Sequence, residues 1–189
     1  ETIGTINMPS VAEKLGQMAA QAAMVEGLVY GMESGGGYYN GYYVPDRNLM
    51  YTAQVLTQQL YPEFITSMRE IAGGGLIMLP SSVKDFENPE IARYIHATQN
   101  SAVGTSEEKV KFMKLAWDAI GSEFASRHTQ YEMFYAGAQF VTRGHALRTY
   151  DWNRSKILVD DILNSYNLED MFEEKNVAAE WLFIEKFLI

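Results

Sequence analysis

SVAEKLGQMAAQAAMVEGLVYGM, residues 10–32, is the stretch whose reading decides the fold. Val11, Leu15, Met18, Ala22, Val25, Val29 and Met32 recur at alternating steps of four and three, which lays one apolar stripe along an α-helix. A strand would alternate every second residue instead. Ser10 with Glu13 reads as a capping box, placing the helix start at Ser10. Ala19, Ala20 and Ala23 let a partner helix approach closely, and Gly35, Gly36 and Gly37 end the element. One amphipathic helix cannot bury its own stripe, so the reading is a helical bundle.

The same period recurs further along the chain. Leu49, Ala53, Leu56 and Leu60 place a second helix over about residues 46–71, and a Tyr/Gly-rich turn at residues 38–43 precedes it. Pro62 lacks an amide proton and is expected to kink or restart that helix before Phe64, Met68 and Ile71 continue its face; Gly73, Gly74 and Gly75 stop it. Residues 76–104, with Pro80 and Pro89, read as a long connection carrying a short helix near residues 89–94. Thr105 with Glu108 forms a second capping box, opening what reads as the longest helix, striped by Val110, Met113, Trp117, Ile120 and Phe124. Continued past Phe124, the stripe reaches Arg127 and Tyr131, polar groups that need partners when buried. Glu123 stands at i,i+4 to Arg127, and His128 to Glu132, so same-helix pairs would satisfy them. Residues 138–150 read as a loop, Asp151 as the N-cap of a helix through Asn164, and Val177, Trp181, Ile184 and Leu188 as the stripe of a last amphipathic segment. There is no internal repeat and little strand signal.

Composition narrows the function classes. At 189 residues the expectation is one domain, residues 1–189, and the 47% hydrophobic content is that of a chain that folds. A net charge of -9 with no basic cluster argues against nucleic acid or an anionic membrane as partner. The absence of cysteine rules out disulfides, thiolate-bound metals and thiol nucleophiles within this sequence. His96, His128 and His145 lack metal-site spacing, so no metal is expected. No apolar run is long enough to span a bilayer, and a cytoplasmic location is the expectation. The chain opens at Glu1 without Met, which reads either as a piece of a longer polypeptide or as a processed terminus.

Two stretches carry a family resemblance: FMKLAWDAIGSEFASRHTQYEMFYAG at residues 112–137, and REIAGGGLIMLPSS at residues 69–82. Both resemble signature segments of the large, oxygenase component of the 4-hydroxyphenylacetate 3-hydroxylase family, and the likeness runs over roughly residues 11–166. It implies the C-terminal part of an acyl-CoA-dehydrogenase-like fold: an all-α, antiparallel four-helix bundle with an additional C-terminal helix. It also implies a two-component, phenol-type monooxygenase that uses reduced FAD from a separate flavin reductase, molecular oxygen and a phenolic substrate, and that assembles as a homodimer or homotetramer.

By the same resemblance, Gly73, Gly74 and Gly75 approach the flavin across a subunit interface, and Tyr135, Ala136, Gly137, Ala138 and Gln139 lie against its ring system. Without it, each is a helix terminator. Arg127, Tyr131 and Glu132 match a family pattern, with Glu123 beside them, and read as a buried supporting network at least as readily as catalytic groups. Many relatives have Arg where this chain has Met133, which puts in doubt any contact that Arg would make. His145, with Arg143 and Arg148, reads as part of a solvated polar loop that could alternatively meet a phosphate or another subunit. The phenol-binding groups fall upstream of this sequence, so the chain alone is expected to be inactive. Two alternatives stand beside this reading: a related acyl-CoA-type flavoprotein such as 4-hydroxybutyryl-CoA dehydratase, and a structural oligomerisation domain without flavin. Residues 167–189 read as an extension of unassigned role.

Overall fold

The computed structural model describes residues 1–166, which are mostly helical and fall into two units, Glu1–Thr149 and one that starts at Tyr150. Helix α1 is Pro9–Ser34. Proline at its first position supplies a ready-made helical φ, so the chain enters the helix one residue earlier than expected. Ser10 therefore sits inside the first turn with Glu13 beyond it, the cap position is Met8, and the expected box does not form.

A β-hairpin follows where only a turn was expected, with β1 (Gly37–Tyr39) paired antiparallel to β2 (Tyr42–Val44). Its corner is Asn40-Gly41 at φ 49° and 84°, the pair of left-handed residues that a two-residue hairpin turn requires. Four tyrosines without apolar/polar alternation hid the strands; the Asn-Gly pair was the signal for them.

Helix α2 (Arg47–Ala72) is the axis of the first unit. Asp46 caps it, its Oδ1 accepting from the Leu49 amide at 2.8 Å. Pro62 does not restart the helix, which stays helical from Arg47 to Ala72. An internal proline costs about 3 kcal/mol. Here tertiary contacts on either side offset it: Gln58 is buried before the proline and Ile65 after it.

Contacts along α2 set the neighbours' directions. Lys14 pairs with Glu70, and Gln17 and Gln21 both donate to Glu63, at 2.7 and 3.0 Å. Gly31 meets Leu49, so α1 runs antiparallel to α2. After a 3-10 turn at Gly73–Leu76 and another at Val83–Phe86 comes α3 (Pro89–Thr98), capped by Asn88 and one turn longer than expected. The core cluster is Ile65, Leu76, Met113 and Ile120, packed with Tyr61, Met68, Ala72, Leu79 and Ala116. It occupies the C-terminal half of α2.

The expected longest helix is broken. Thr105 and Glu108 do form their capping box, with bonds of 3.2 and 2.8 Å, but α4 (Ser106–Ala116) passes into a π-turn, Trp117–Gly121. The Ser122 amide donates to the Trp117 carbonyl at 2.8 Å, closing the wider ring of that turn, and Ser122 itself is extended. Helix α5 (Glu123–Glu132) restarts from Ser122 with its phase shifted. Val110, Met113 and Ile120 are buried as expected, yet the next buried position is Ala125, and Phe124 is 74% exposed. Arg127 and Tyr131 consequently lie on the exposed side rather than in the core. The longest helices are α1 and α2, of 26 residues each.

Residues expected as a loop form α6 (Gln139–Thr149). Gly144 and two threonines give this segment little helix preference, so burial of Thr142 against α2 decides it. In the second unit, the Asp151 carboxylate caps α7 (Trp152–Ser165) through the Arg154 amide at 3.1 Å, as expected. The amphipathic stripe ending at Leu188 lies outside the described residues. Among the described residues no helix is long and apolar enough to cross a membrane.

Candidate functional site

At the C-terminal end of α2, Gly73 takes φ 56° and its amide bonds to the Arg69 carbonyl, closing the helix. Gly75 is glycine for packing, because a Cβ there would stand 2.9 Å from the Met113 methyl group. Gly74 differs. A Cβ would meet nothing nearer than the Met78 sulfur at 4.0 Å, its φ is not in the left-handed region, and it is exposed. Among the described residues nothing demands glycine at 74; its carbonyl accepts from the Ile77 and Met78 amides, both at 3.1 Å, and the face where a Cβ would stand is open. Arg69 braces the same corner, its Nε donating to the Ile120 carbonyl at 2.7 Å.

The second turn joins α5 to α6. Gly137 takes φ 111°, a conformation costly for any side chain, and its carbonyl accepts from Gln58 Nε2 at 2.8 Å. Gln58 Oε1 accepts from the Thr142 hydroxyl at 2.9 Å, with the Gln139 carbonyl 3.0 Å from the same hydroxyl. Both side chains are buried, Gln58 at 1% exposure and Thr142 at 0%. A polar latch thus fixes residues 137–139 against the middle of α2. Sequence reasoning missed Gln58 and Thr142, since neither interrupts a clear apolar stripe.

Tyr135, half exposed, closes a row of rings along α5. Phe124, His128, Tyr131 and Tyr135 follow one another at centroid separations of 6.2, 6.3 and 6.1 Å. Tyr61 meets His128 edge-on at 5.7 Å, and His128 Nε2 lies 3.4 Å from Glu132 Oε1. Burial, and then the Glu132 charge, push the Tyr61 hydroxyl above its usual range. The expected polar network is half made. His128 and Glu132 pair, whereas Arg127 is exposed with no ion-pair partner among the described residues, and Glu123 is an exposed first-turn carboxylate. His145 lies on α6, stacked on Tyr51 at 4.7 Å. Among the described residues no three of His, Asp or Glu cluster as metal ligands.

The two glycine turns are not brought together. Gly137 faces Gln58 and Gly73 lies fifteen residues further along α2, roughly 22 Å at 1.5 Å per residue.

What fold and turns define is a helical domain that exposes glycine main chain at one helix end and pins a second such turn with buried side chains. The chain belongs to the 4-hydroxyphenylacetate 3-hydroxylase C-terminal family, whose profile matches residues 1–164. It is 34% identical over 147 residues to the 4-hydroxyphenylacetate 3-monooxygenase oxygenase component of Pseudomonas aeruginosa, covering 77% of this chain and 28% of that protein. A crystal structure of the oxygenase component of 4-hydroxyphenylacetate 3-monooxygenase, complexed with FAD and 4-hydroxyphenylacetate, superposes with a TM-score of 0.81 at 27% identity, over 86% of this chain and 34% of that one. An archaeal 4-hydroxybutyryl-CoA dehydratase from N. maritimus shares the fold, with a TM-score of 0.75 at 20% identity over 87% of this chain and 33% of its own. The chain spans about a third of the length of these relatives.

Proposed function

We propose that this chain is the C-terminal helical part of a two-component aromatic monooxygenase that hydroxylates a phenolic ring with reduced FAD and oxygen. Family membership supports the reaction class, and the observation that carries the cofactor reading is Gly74, a glycine that packing among the described residues does not require. An anionic pyrophosphate can approach main chain closely only where no Cβ stands in the way. Because the two turns of one copy lie roughly 22 Å apart, Gly73, Gly74 and Gly75 would take the phosphate side of an FAD whose ring lies on a second copy of this chain. Tyr135, Ala136, Gly137, Ala138 and Gln139 would form a fixed wall for its ring system, their small residues leaving room and the Gln58–Thr142 latch preventing drift. Reduced FAD, when bound, would supply the electrons that activate molecular oxygen. The chain's own residues position the cofactor and exclude water; the groups that hold the phenol belong to domains outside this sequence. In this reading Glu132 holds His128 on α5, and Arg127, Tyr131 and Glu123 touch no reacting atom.

The helices fit an antiparallel four-helix bundle of the acyl-CoA dehydrogenase C-terminal type, with residues 167–189 as an extension. The partners are a flavin reductase that delivers reduced FAD and further copies of this chain, in a cytoplasmic homodimer or homotetramer. Exposed Phe124, Phe140 and Ile77, at 74, 79 and 74%, are the kind of apolar surface such an assembly covers. The test compares Gly74→Ala with the unaltered sequence in the full-length parent polypeptide. Reduced-FAD affinity should fall at least about tenfold while the melting temperature holds, since the added methyl meets open space. Unchanged affinity would remove the basis for placing the cofactor at this turn, and hydroxylation of 4-hydroxyphenylacetate by the 189-residue chain alone would overturn the division of labour.

A further inference from the structure

A cleft of about 540 Å³ lies where the N-terminal end of α2 meets the C-terminal end of α6. It is some 25 residues of α2, about 38 Å, from Gly73. Its wall contains Arg47 and Asn48 from the first turn of α2, Tyr51 one turn on, and His145 and Arg148 from α6. In a chain of net charge -9, two guanidinium groups facing one cavity are an unusual concentration of positive charge.

These polar heads are organised but not consumed. The Tyr51 ring stacks on His145 at 4.7 Å with 12° between planes, and His145 Nδ1 lies 3.0 Å from Arg148 Nη2. A guanidinium only donates, so Nδ1 is the acceptor and the imidazole proton sits on Nε2. Arg148 is thereby held from one side, with its remaining donors left over. The Arg47 guanidinium, the Asn48 carboxamide and the Tyr51 hydroxyl have no hydrogen-bond partner among the described residues. The Asp46 amide is spent on the Met32 carbonyl and that of Leu49 on Asp46 Oδ1, whereas the Arg47 and Asn48 amides have no acceptor there. Against this stands one carboxylate, Asp46, with one oxygen already engaged by the helix end. The balance is two exposed cations to one anion, with donors on both helices that no protein group takes up among the described residues.

We infer that this cleft binds a small molecule bearing a carboxylate or phosphate, its oxyanion held between Arg47 and Arg148 and its body lying along the Tyr51–His145 pair. The cleft is open to solvent and mostly polar, and its volume exceeds the need of a bare ion. Planar, forked guanidinium donors from two directions suit an oxyanion better than any neutral group. The proposal does not rest on the flavin reading: Arg47 is eleven residues of α2, about 17 Å, from Gln58, which holds the Gly137 turn, and about 38 Å from Gly73.

Calorimetric titration of the full chain with benzoate, phenyl phosphate and the uncharged control benzamide tests it. One or both anions should bind in a single site with a Kd on the order of 1 mM or tighter, and benzamide should not. Arg47→Gln and Arg148→Gln should each weaken binding about tenfold or more. Arg143→Gln, whose guanidinium bonds to Gln139 outside the cleft, should leave it unchanged, with melting curves confirming that all three variants fold. Benzoate alone binding assigns a carboxylate ligand, and phenyl phosphate alone a phosphate; either supports the site. Absence of anion binding, equal binding of benzamide, or an equal loss in Arg143→Gln overturns it.

Discussion

Replacing Thr142 with valine keeps the shape of a fully buried side chain and removes one hydroxyl. In the folded chain that hydroxyl donates to Gln58 Oε1 at 2.9 Å, inside a site where Gln58 is 1% exposed and no water can substitute without rearrangement. Leaving a buried acceptor unsatisfied costs about 1–3 kcal/mol. For a chain of this size each kcal/mol moves the melting temperature by about 2–4 °C, so Thr142→Val should melt roughly 2–12 °C lower. Circular dichroism at 222 nm reads the melt, and urea unfolding should show a lower midpoint with an unchanged slope. Because Gln58 also holds the Gly137 carbonyl, Gln58→Leu should cost as much alone. The double variant should fall short of the sum by about 0.5–3 kcal/mol. A Thr142→Val melt within about 1 °C of the parent would show that the latch is not what fixes the turn at Gly137.

Two further outcomes are expected. Thr105→Ala removes a formed cap and should cost about 1 kcal/mol, whereas Ser10→Ala, at a box that does not form, should leave the urea midpoint where it is. The raised Tyr61 hydroxyl keeps its proton in the folded state after the unfolded chain has lost it near pH 10, so stability is full below that pH and declines above it. Tyr61→Phe should therefore flatten the alkaline limb above pH 10 in denaturant titrations; an identical decline in both proteins would refute the assignment.

Sequence periodicity located α1, α2 and the start of α4, because in each a long apolar stripe or a capping pair is locally complete. Asp151 likewise announced its helix, whereas the cap at Asp46 went unread. What escaped was decided elsewhere. The π-turn at Trp117–Gly121 depends on an indole lying over Gly121, where a Cβ would stand 2.5 Å from the ring, and no spacing rule reports that contact. Helix α6 depends on a glutamine 84 residues away. Of the candidate site, the glycine turns were legible as helix ends, but the distinction between Gly75, packed on Met113, and Gly74, open, exists only in three dimensions. The cleft by Arg148 was read as a solvated loop because its other wall is supplied by Arg47, a hundred residues earlier.

The extra residue in the turn after α4 has a consequence for how this surface can change. Adding one residue to a helical path swings everything downstream by about 100°. Upstream of Ser122 the periodic positions answer to the interior; downstream, the aromatic row from Phe124 to Tyr135 answers to whatever lies outside. Substitutions at Phe124 and Tyr131 on that outward ledge can accumulate without disturbing the cluster around Met113, whereas deleting a single residue from the turn would swing both faces of α5 by about 100°.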